Sequence, residues 1–144
     1  MRTVLLVEDS EDDVFFMKMA CQRTGIPHAL QVVADGDAAI DYLAGNGPYA
    51  NRNTYPLPDL IFLDVKMPKR NGHEVLGWIR SQPNLKHLPV VMITNMMDSK
   101  DVTRAYELGV TSYLRKLASP AEFGQGVRVI LKYWLDLNIP SPLG

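Results

Sequence analysis

Asp59-Leu60-Ile61-Phe62-Leu63-Asp64-Val65-Lys66-Met67-Pro68 is the stretch on which the reading of this chain turns. Four apolar residues in a row, Leu60 to Leu63, are too few for the core face of a helix and suit a strand buried on both sides. Asp64 follows directly, and Pro68 and Gly72 keep the strand from continuing. Ligands of open α/β sheets bind in the crevice beyond the carboxyl ends of the strands, so a carboxylate there is a site candidate. Taken alone, Asp64 reads more simply as a turn residue. The other strand ends decide.

Upstream, Val4-Leu5-Leu6-Val7 reads as a central strand that stops at Glu8-Asp9. Ser10 can cap the helix that follows, and Glu11, Asp12 and Asp13 fill its first turn, where they complement the positive end of the helix. That role accounts for these three acids and leaves Glu8 and Asp9 unexplained. Val14, Met17 and Cys21 recur at helical spacing, and Gly25 closes the helix before Pro27. Residues 30–34 form a second strand. Asp35 caps a short helix over 36–43 whose Ala39, Ile40 and Leu43 share one face. Residues 45–58 hold two Gly, three Pro and three Asn, which predicts a long loop and a candidate partner contact.

Downstream, a helix from Gly72 turns Val75, Leu76 and Ile79 inward. The fourth strand, 89–93, ends in Thr94. Asp98 caps the next helix, with Val102, Ala105 and Leu108 inward and Gly109 as terminator. Residues 110–114 form the fifth strand, and Lys116 stands just beyond it. From Pro120 to about Leu135, the set Phe123, Val127, Ile130, Leu131 and Trp134 repeats at helical spacing, and an irregular tail is expected after it. Five strands alternating with five helices predict an α/β fold, one doubly wound parallel sheet covered on both faces.

At 144 residues the chain reads as a single domain, 1–144, with a core over about 3–135 and a tail over 136–144. A net charge of −1 provides no field to hold nucleic acid. Cys21, the one cysteine, cannot form an internal disulfide. No apolar run approaches a membrane span, and Met1-Arg2-Thr3 leads straight into a strand without a signal peptide. A cytoplasmic protein without membrane contact is expected.

Parallel strands share one carboxyl edge. The first brings Glu8 and Asp9 there, the third Asp64, the fourth Thr94 and the fifth Lys116. Clustered carboxylates call for a cation, and an all-oxygen site suits Mg²⁺. Lys116 can pair with Asp64 or with an anionic group attached to it, and the Thr94 hydroxyl can donate to such a group. A carboxylate facing a metal, an ammonium and a hydroxyl is equipped to attack phosphorus. Each residue has a plain structural role available to it, but all of them together at four strand ends favour function.

The pieces VLLVEDSEDD, LIFLDVKMPKRNG, VVMITN and SYLRK, in this order, resemble the response-regulator receiver domains of the chemotaxis CheY type. The resemblance implies a flavodoxin-like (βα)5 fold with strand order 2-1-3-4-5. It implies that Asp64 accepts a phosphoryl group from a phosphohistidine of a sensor histidine kinase. Glu8, Asp9, Asp64 and the backbone carbonyl of Lys66 would hold Mg²⁺, and Thr94 and Lys116 would contact the phosphoryl group. Tyr113 matches the family's switch aromatic: Thr94 moves toward the phosphoryl group and Tyr113 turns into the space it leaves.

The long loop and the Tyr133-Trp134 ending resemble single-domain regulators that serve phytochrome-type kinases. That likeness implies a homodimer through the C-terminal helix and tail, and Val129, Tyr133 and Leu137 offer a second apolar stripe there; burial against the domain's own surface is the competing reading. Departures are Leu117, where the family carries a proline after its lysine, and Asn95 and Met96 after Thr94. The first predicts a trans link and a reshaped loop, the second narrowed access for phosphodonor or water. A haloacid-dehalogenase-type enzyme would need an acid at Lys66, and a flavodoxin would need a phosphate loop where Glu8-Asp9 stands. A degenerate receiver that binds proteins without being phosphorylated is the stronger alternative.

Overall fold

The computed structural model describes residues 1–95, 98–116 and 119–142. Parallel strands β1 (Thr3–Val7), β2 (Ala29–Val33), β3 (Leu60–Asp64), β4 (Val90–Thr94) and β5 (Ser112–Arg115) form one sheet in the order β2-β1-β3-β4-β5. The helices are α1 (Glu11–Arg23), α2 (Gly36–Ala44), α3 (Gly72–Ser81), α4 (Ser99–Glu107) and α5 (Pro120–Lys132). The single parallel sheet is what the alternating pattern predicts, and its strand order is the one the receiver resemblance implies.

Alternation along each strand divides the core. Leu5, Val7, Ile61, Leu63, Val90 and Met92 face α2, α3 and α4, whereas Val4, Leu6, Leu60, Phe62, Val91 and Ile93 face α1 and α5. With both faces covered, β1, β3 and β4 are buried along their whole length, and the edge strands β2 and β5 only in part. Continuous apolar runs at the centre of the sheet follow from that burial.

Helix starts follow the expected chemistry. Ser10, Asp35 and Asp98 each accept a backbone N–H of the first turn through their side chains. Two caps go beyond the sequence reading. Asn71 and Glu74 form a reciprocal capping box on α3 (3.0 and 3.2 Å), and Ser119 caps α5. Each is worth about 1 kcal/mol.

Three expectations shift. The fifth strand begins at Ser112 rather than 110, because the Val110 N–H turns back to the Ala105 carbonyl of α4 at 3.0 Å. Val110 is buried all the same. The loop over 45–58 includes a 3-10 turn, Gly47–Tyr49, and is packed down on the end of α2. Tyr49 and Tyr55 stack against the buried Tyr42, and Arg52 donates to the carbonyls of Tyr42 (2.7 Å), Leu43 (2.9 Å) and Tyr55 (3.2 Å). Finally, α5 runs into a π-helical turn, Tyr133–Leu137, and Leu135 joins Val127 and Leu131 in the core. On the opposite side Val129, Tyr133 and Leu137 are 67%, 47% and 63% exposed, so the domain's own surface covers them only in part.

Candidate functional site

Register carries the predicted residues to one edge. Val7 pairs with Leu63, Asp64 with Ile93 and Thr94 with Arg115, so the residues that end these strands lie side by side. Glu8 continues β1, its N–H bonded to the Val33 carbonyl at 3.0 Å, and Lys116 follows β5, its N–H bonded to the Thr94 carbonyl at 2.9 Å. Glu8, Asp64 and Thr94 are buried and Asp9 is exposed.

Three carboxylates meet. One oxygen each of Glu8, Asp9 and Asp64 lie within 4.8 Å of one another. Glu8 Oε2 is buried without a hydrogen-bond donor, which ordinarily costs about 1–3 kcal/mol or more for a charged group. Hard oxygen donors, surplus negative charge and an orphaned acceptor together fit a small divalent cation. Lys66, whose carbonyl is the fourth ligand that the resemblance implies, lies exposed in the bend two residues after Asp64.

The turn after β3 is fixed by close backbone contacts. The Gly72 N–H donates to the Val65 carbonyl at 2.8 Å, and a Cβ on Gly72 would lie 2.4 Å from the Asp64 carbonyl oxygen. A Cβ on Gly36 would lie 2.1 Å from the Arg70 carbonyl oxygen, so this turn also presses against the start of α2. Ion pairs Lys69–Asp35 (3.4 Å) and Arg70–Asp37 (2.9 Å) tie the same two segments. Both pairs are exposed in part and contribute little individually.

The expected pairing of Lys116 with Asp64 is present, with two closer partners beside it. Its ammonium reaches Asp64 Oδ1 at 3.4 Å but sits closer to Glu8 Oε1, 2.7 Å, and to Asp13 Oδ2, 2.8 Å. Asp13, read from the sequence only as a first-turn acid, therefore belongs to the pocket's edge. Burial pushes the Glu8 carboxyl up to about 9 against the opposing effect of the Lys116 bond. Burial also works against the Asp13 carboxylate, but bonds from Lys116 and Glu8 hold its pKa below the ordinary value. For Lys116 the loss of solvent is outweighed by Asp13 and Glu8, and the ammonium stays charged.

Tyr113 is half-buried on β5. Its hydroxyl donates to the Asp101 carbonyl in the first turn of α4 at 3.4 Å, and its ring lies 6.2 Å from that of Tyr106. Burial, then Asp101 and Tyr106, raise the phenol's pKa. His73 is buried at the start of α3 and also contacts the Asp101 carbonyl, at 2.9 Å through Nε2. One carbonyl of α4 thus meets a side chain from α3 and another from β5. Leu117 and Met96, on which the expected trans link and part of the narrowed access rest, lie outside the described residues. Asn95 is exposed just beyond Thr94.

A parallel five-stranded sheet with clustered acids, a threonine and a lysine at its carboxyl edge defines a receiver-type signalling domain. Residues 4–128 match the family model described as the response regulator receiver domain, and the chain belongs to that family. It is a two-component response regulator, of a receiver family rather than an enzyme family. Response regulator Rcp1 of Synechocystis sp. is 38% identical over 141 residues, covering 97% of this chain and 94% of its own length. The phosphorylated cyanobacterial phytochrome response regulator RcpA superposes with a TM-score of 0.88 at 36% identity, over 96% of this chain and 97% of its own. The Mn²⁺-bound form of Rcp1 does so with a TM-score of 0.86 at 35% identity, over 98% and 99%. Receivers of this family bind Mg²⁺ in an acidic pocket, and Glu8, Asp9 and Asp64 are a cluster here that could hold such an ion. The reading as a phosphorylation-independent binding module is not favoured by these likenesses. Among the described residues no helix is long and apolar enough to cross a membrane.

Proposed function

We propose that Asp64 accepts a phosphoryl group from a phosphohistidine of a sensor histidine kinase. The observation that carries this reading is the juxtaposition at Asp64: two further carboxylates beside it and the Lys116 ammonium 3.4 Å away. An Asp64 oxygen attacks phosphorus, the P–N bond to the histidine breaks, and the imidazole leaves with the bonding pair. Mg²⁺, when bound, neutralises charge on the transferring oxygens. Glu8, Asp9, Asp64 and the Lys66 carbonyl would be its protein ligands. Lys116 and the Thr94 hydroxyl are the donors for the phosphoryl oxygens once they are attached to Asp64. Water attack on the aspartyl phosphate returns the domain to its resting form, with Asn95 at the mouth where that water enters.

Switching follows from added charge. A phosphoryl group brings about −1.5 to −2 charges and three acceptors. Thr94 moves toward it, and Tyr113 gives up its long bond to α4 and turns inward, altering the face formed by α4, β5 and α5. The likeness to RcpA supports a phytochrome-type kinase as the donor. We further assign the exposed Val129–Tyr133–Leu137 stripe and the tail to a homodimer contact, in a cytoplasmic protein with no nucleic-acid partner.

Intact-mass measurement after incubation with acetyl phosphate and Mg²⁺ tests the acceptor. One phosphoryl adduct is expected on the wild type and none on Asp64→Asn; an adduct that persists in the variant removes the assignment. Light scattering at micromolar concentration tests the dimer, and a monomeric mass removes it.

A further inference from the structure

The Lys116 ammonium has three N–H donors and three carboxylate neighbours. Two of these contacts are short, Glu8 at 2.7 Å and Asp13 at 2.8 Å, and the third, Asp64, is at 3.4 Å. The Lys116 side chain is only 11% exposed, so these contacts are poorly screened on the lysine side. Asp13 differs from the other two acids. It stands outside the cluster of Glu8, Asp9 and Asp64, and among the described residues Lys116 is its one ion-pair partner. Its place is fixed by α1, where its N–H donates to the capping Ser10 hydroxyl at 3.3 Å.

The third N–H is the one available to a phosphoryl oxygen at Asp64, and the two short bonds limit how far the ammonium can move toward it. A divalent cation competes with the lysine for Glu8. Asp13 stands outside the cluster of Glu8, Asp9 and Asp64, so a cation bound there leaves its bond to the lysine in place. We propose that Asp13 is a positioning residue: it keeps the Lys116 ammonium on the α1 side of the pocket and thereby slows phosphorylation of Asp64. The proposal rests on the roles given above to Asp64 and Lys116.

With acetyl phosphate as donor, an Asp64 oxygen attacks phosphorus, the P–O bond to the acetyl group breaks, and acetate leaves with the electron pair. The phosphoryl oxygens carry their negative charge into the pocket in that step, and a lysine released from Asp13 is better placed to meet it.

The test measures phosphorylation of the full chain by acetyl phosphate with Mg²⁺, over a range of donor concentrations, for wild type, Asp13→Asn, Asp13→Ala and Asp12→Ala. Asp12 is exposed, one residue away, and among the described residues makes no ion pair, so it controls for the loss of a negative charge near an anionic donor. Both Asp13 variants should raise the maximal rate about three- to tenfold, with KM for acetyl phosphate little changed and Asp12→Ala close to wild type. The gain should vanish in a Lys116→Ala background. Unaltered or slower rates in both Asp13 variants overturn the proposal, as does an equal gain in Asp12→Ala or a gain that survives without Lys116. If the wild type forms no Asp64-dependent adduct, the acceptor reading fails instead, and the two failures are distinguishable.

Discussion

Helices α3 and α4 cover the same face of the sheet and are built differently. α3 buries Gly72, His73, Val75, Leu76 and Ile79 and starts on a reciprocal capping box. α4 buries Ala105 alone, with Val102 and Leu108 half-buried and Tyr106 52% exposed. Sequence causes the contrast: GHEVLGWIRS carries apolar residues at helical spacing, whereas SKDVTRAYE is mostly polar. α3 also begins where the backbone presses on Asp64, so a well-packed helix fixes that residue. α4 leans on few apolar contacts and on side chains that meet one carbonyl. An element held that way can change position at small cost, and it adjoins Tyr113.

Removing a core side chain from each helix tests this most directly. Ile79→Ala should destabilise the domain by about 2–5 kcal/mol in urea unfolding, and Val102→Ala by less than half as much. Equal losses would break the contrast. Amide exchange is the second measure: α4 amides should open at a lower free energy than those of α3, by about 1–3 kcal/mol, and fall together with α3 only if both unfold globally. His73→Met sharpens it further, since it removes a donor to α4 while keeping an apolar side chain. A loss of about 0.5–1.5 kcal/mol is expected, with faster exchange in α4 and little change in α3. His73→Gln, which can restore a donor, should recover part of that protection.

The smallest effect concerns the packed side of the domain, at Cys21 on α1. Burial pushes its thiol up to about 12 from an ordinary value of 9.0. Iodoacetamide at pH 8 should leave the native protein unlabelled and label it in urea. The sign of the pH effect follows from proton binding: above about 9 the unfolded chain releases the proton that the native state keeps. The thiol's contribution to stability is therefore intact below 9 and declines as pH rises toward 12. Rapid native labelling would mean that α1 opens as readily as α4.

Much of the site is legible because each part leaves a local mark. Leu60 to Leu63 mark a doubly covered strand, and Glu8, Asp64, Thr94 and Lys116 each stand where such a strand or its continuation ends. Asp13 and His73 leave none. A first-turn acid satisfies the helix end by itself, and nothing beside His73 in the sequence points to a distant partner. Their partners lie 103 and 28 residues away, Lys116 and the Asp101 carbonyl.

By itself the order of residues determined the parallel sheet, its burial and the gathering of acids, hydroxyl and ammonium at one edge, because period and punctuation act over a few neighbours. Only the folded chain decided which carboxylate the lysine prefers, that the loop over 45–58 is pinned by Arg52 and its tyrosines, and that Val129, Tyr133 and Leu137 face outward. Those outcomes depend on distances between segments remote in the chain. Packing and charge set such distances collectively, and no single stretch encodes them.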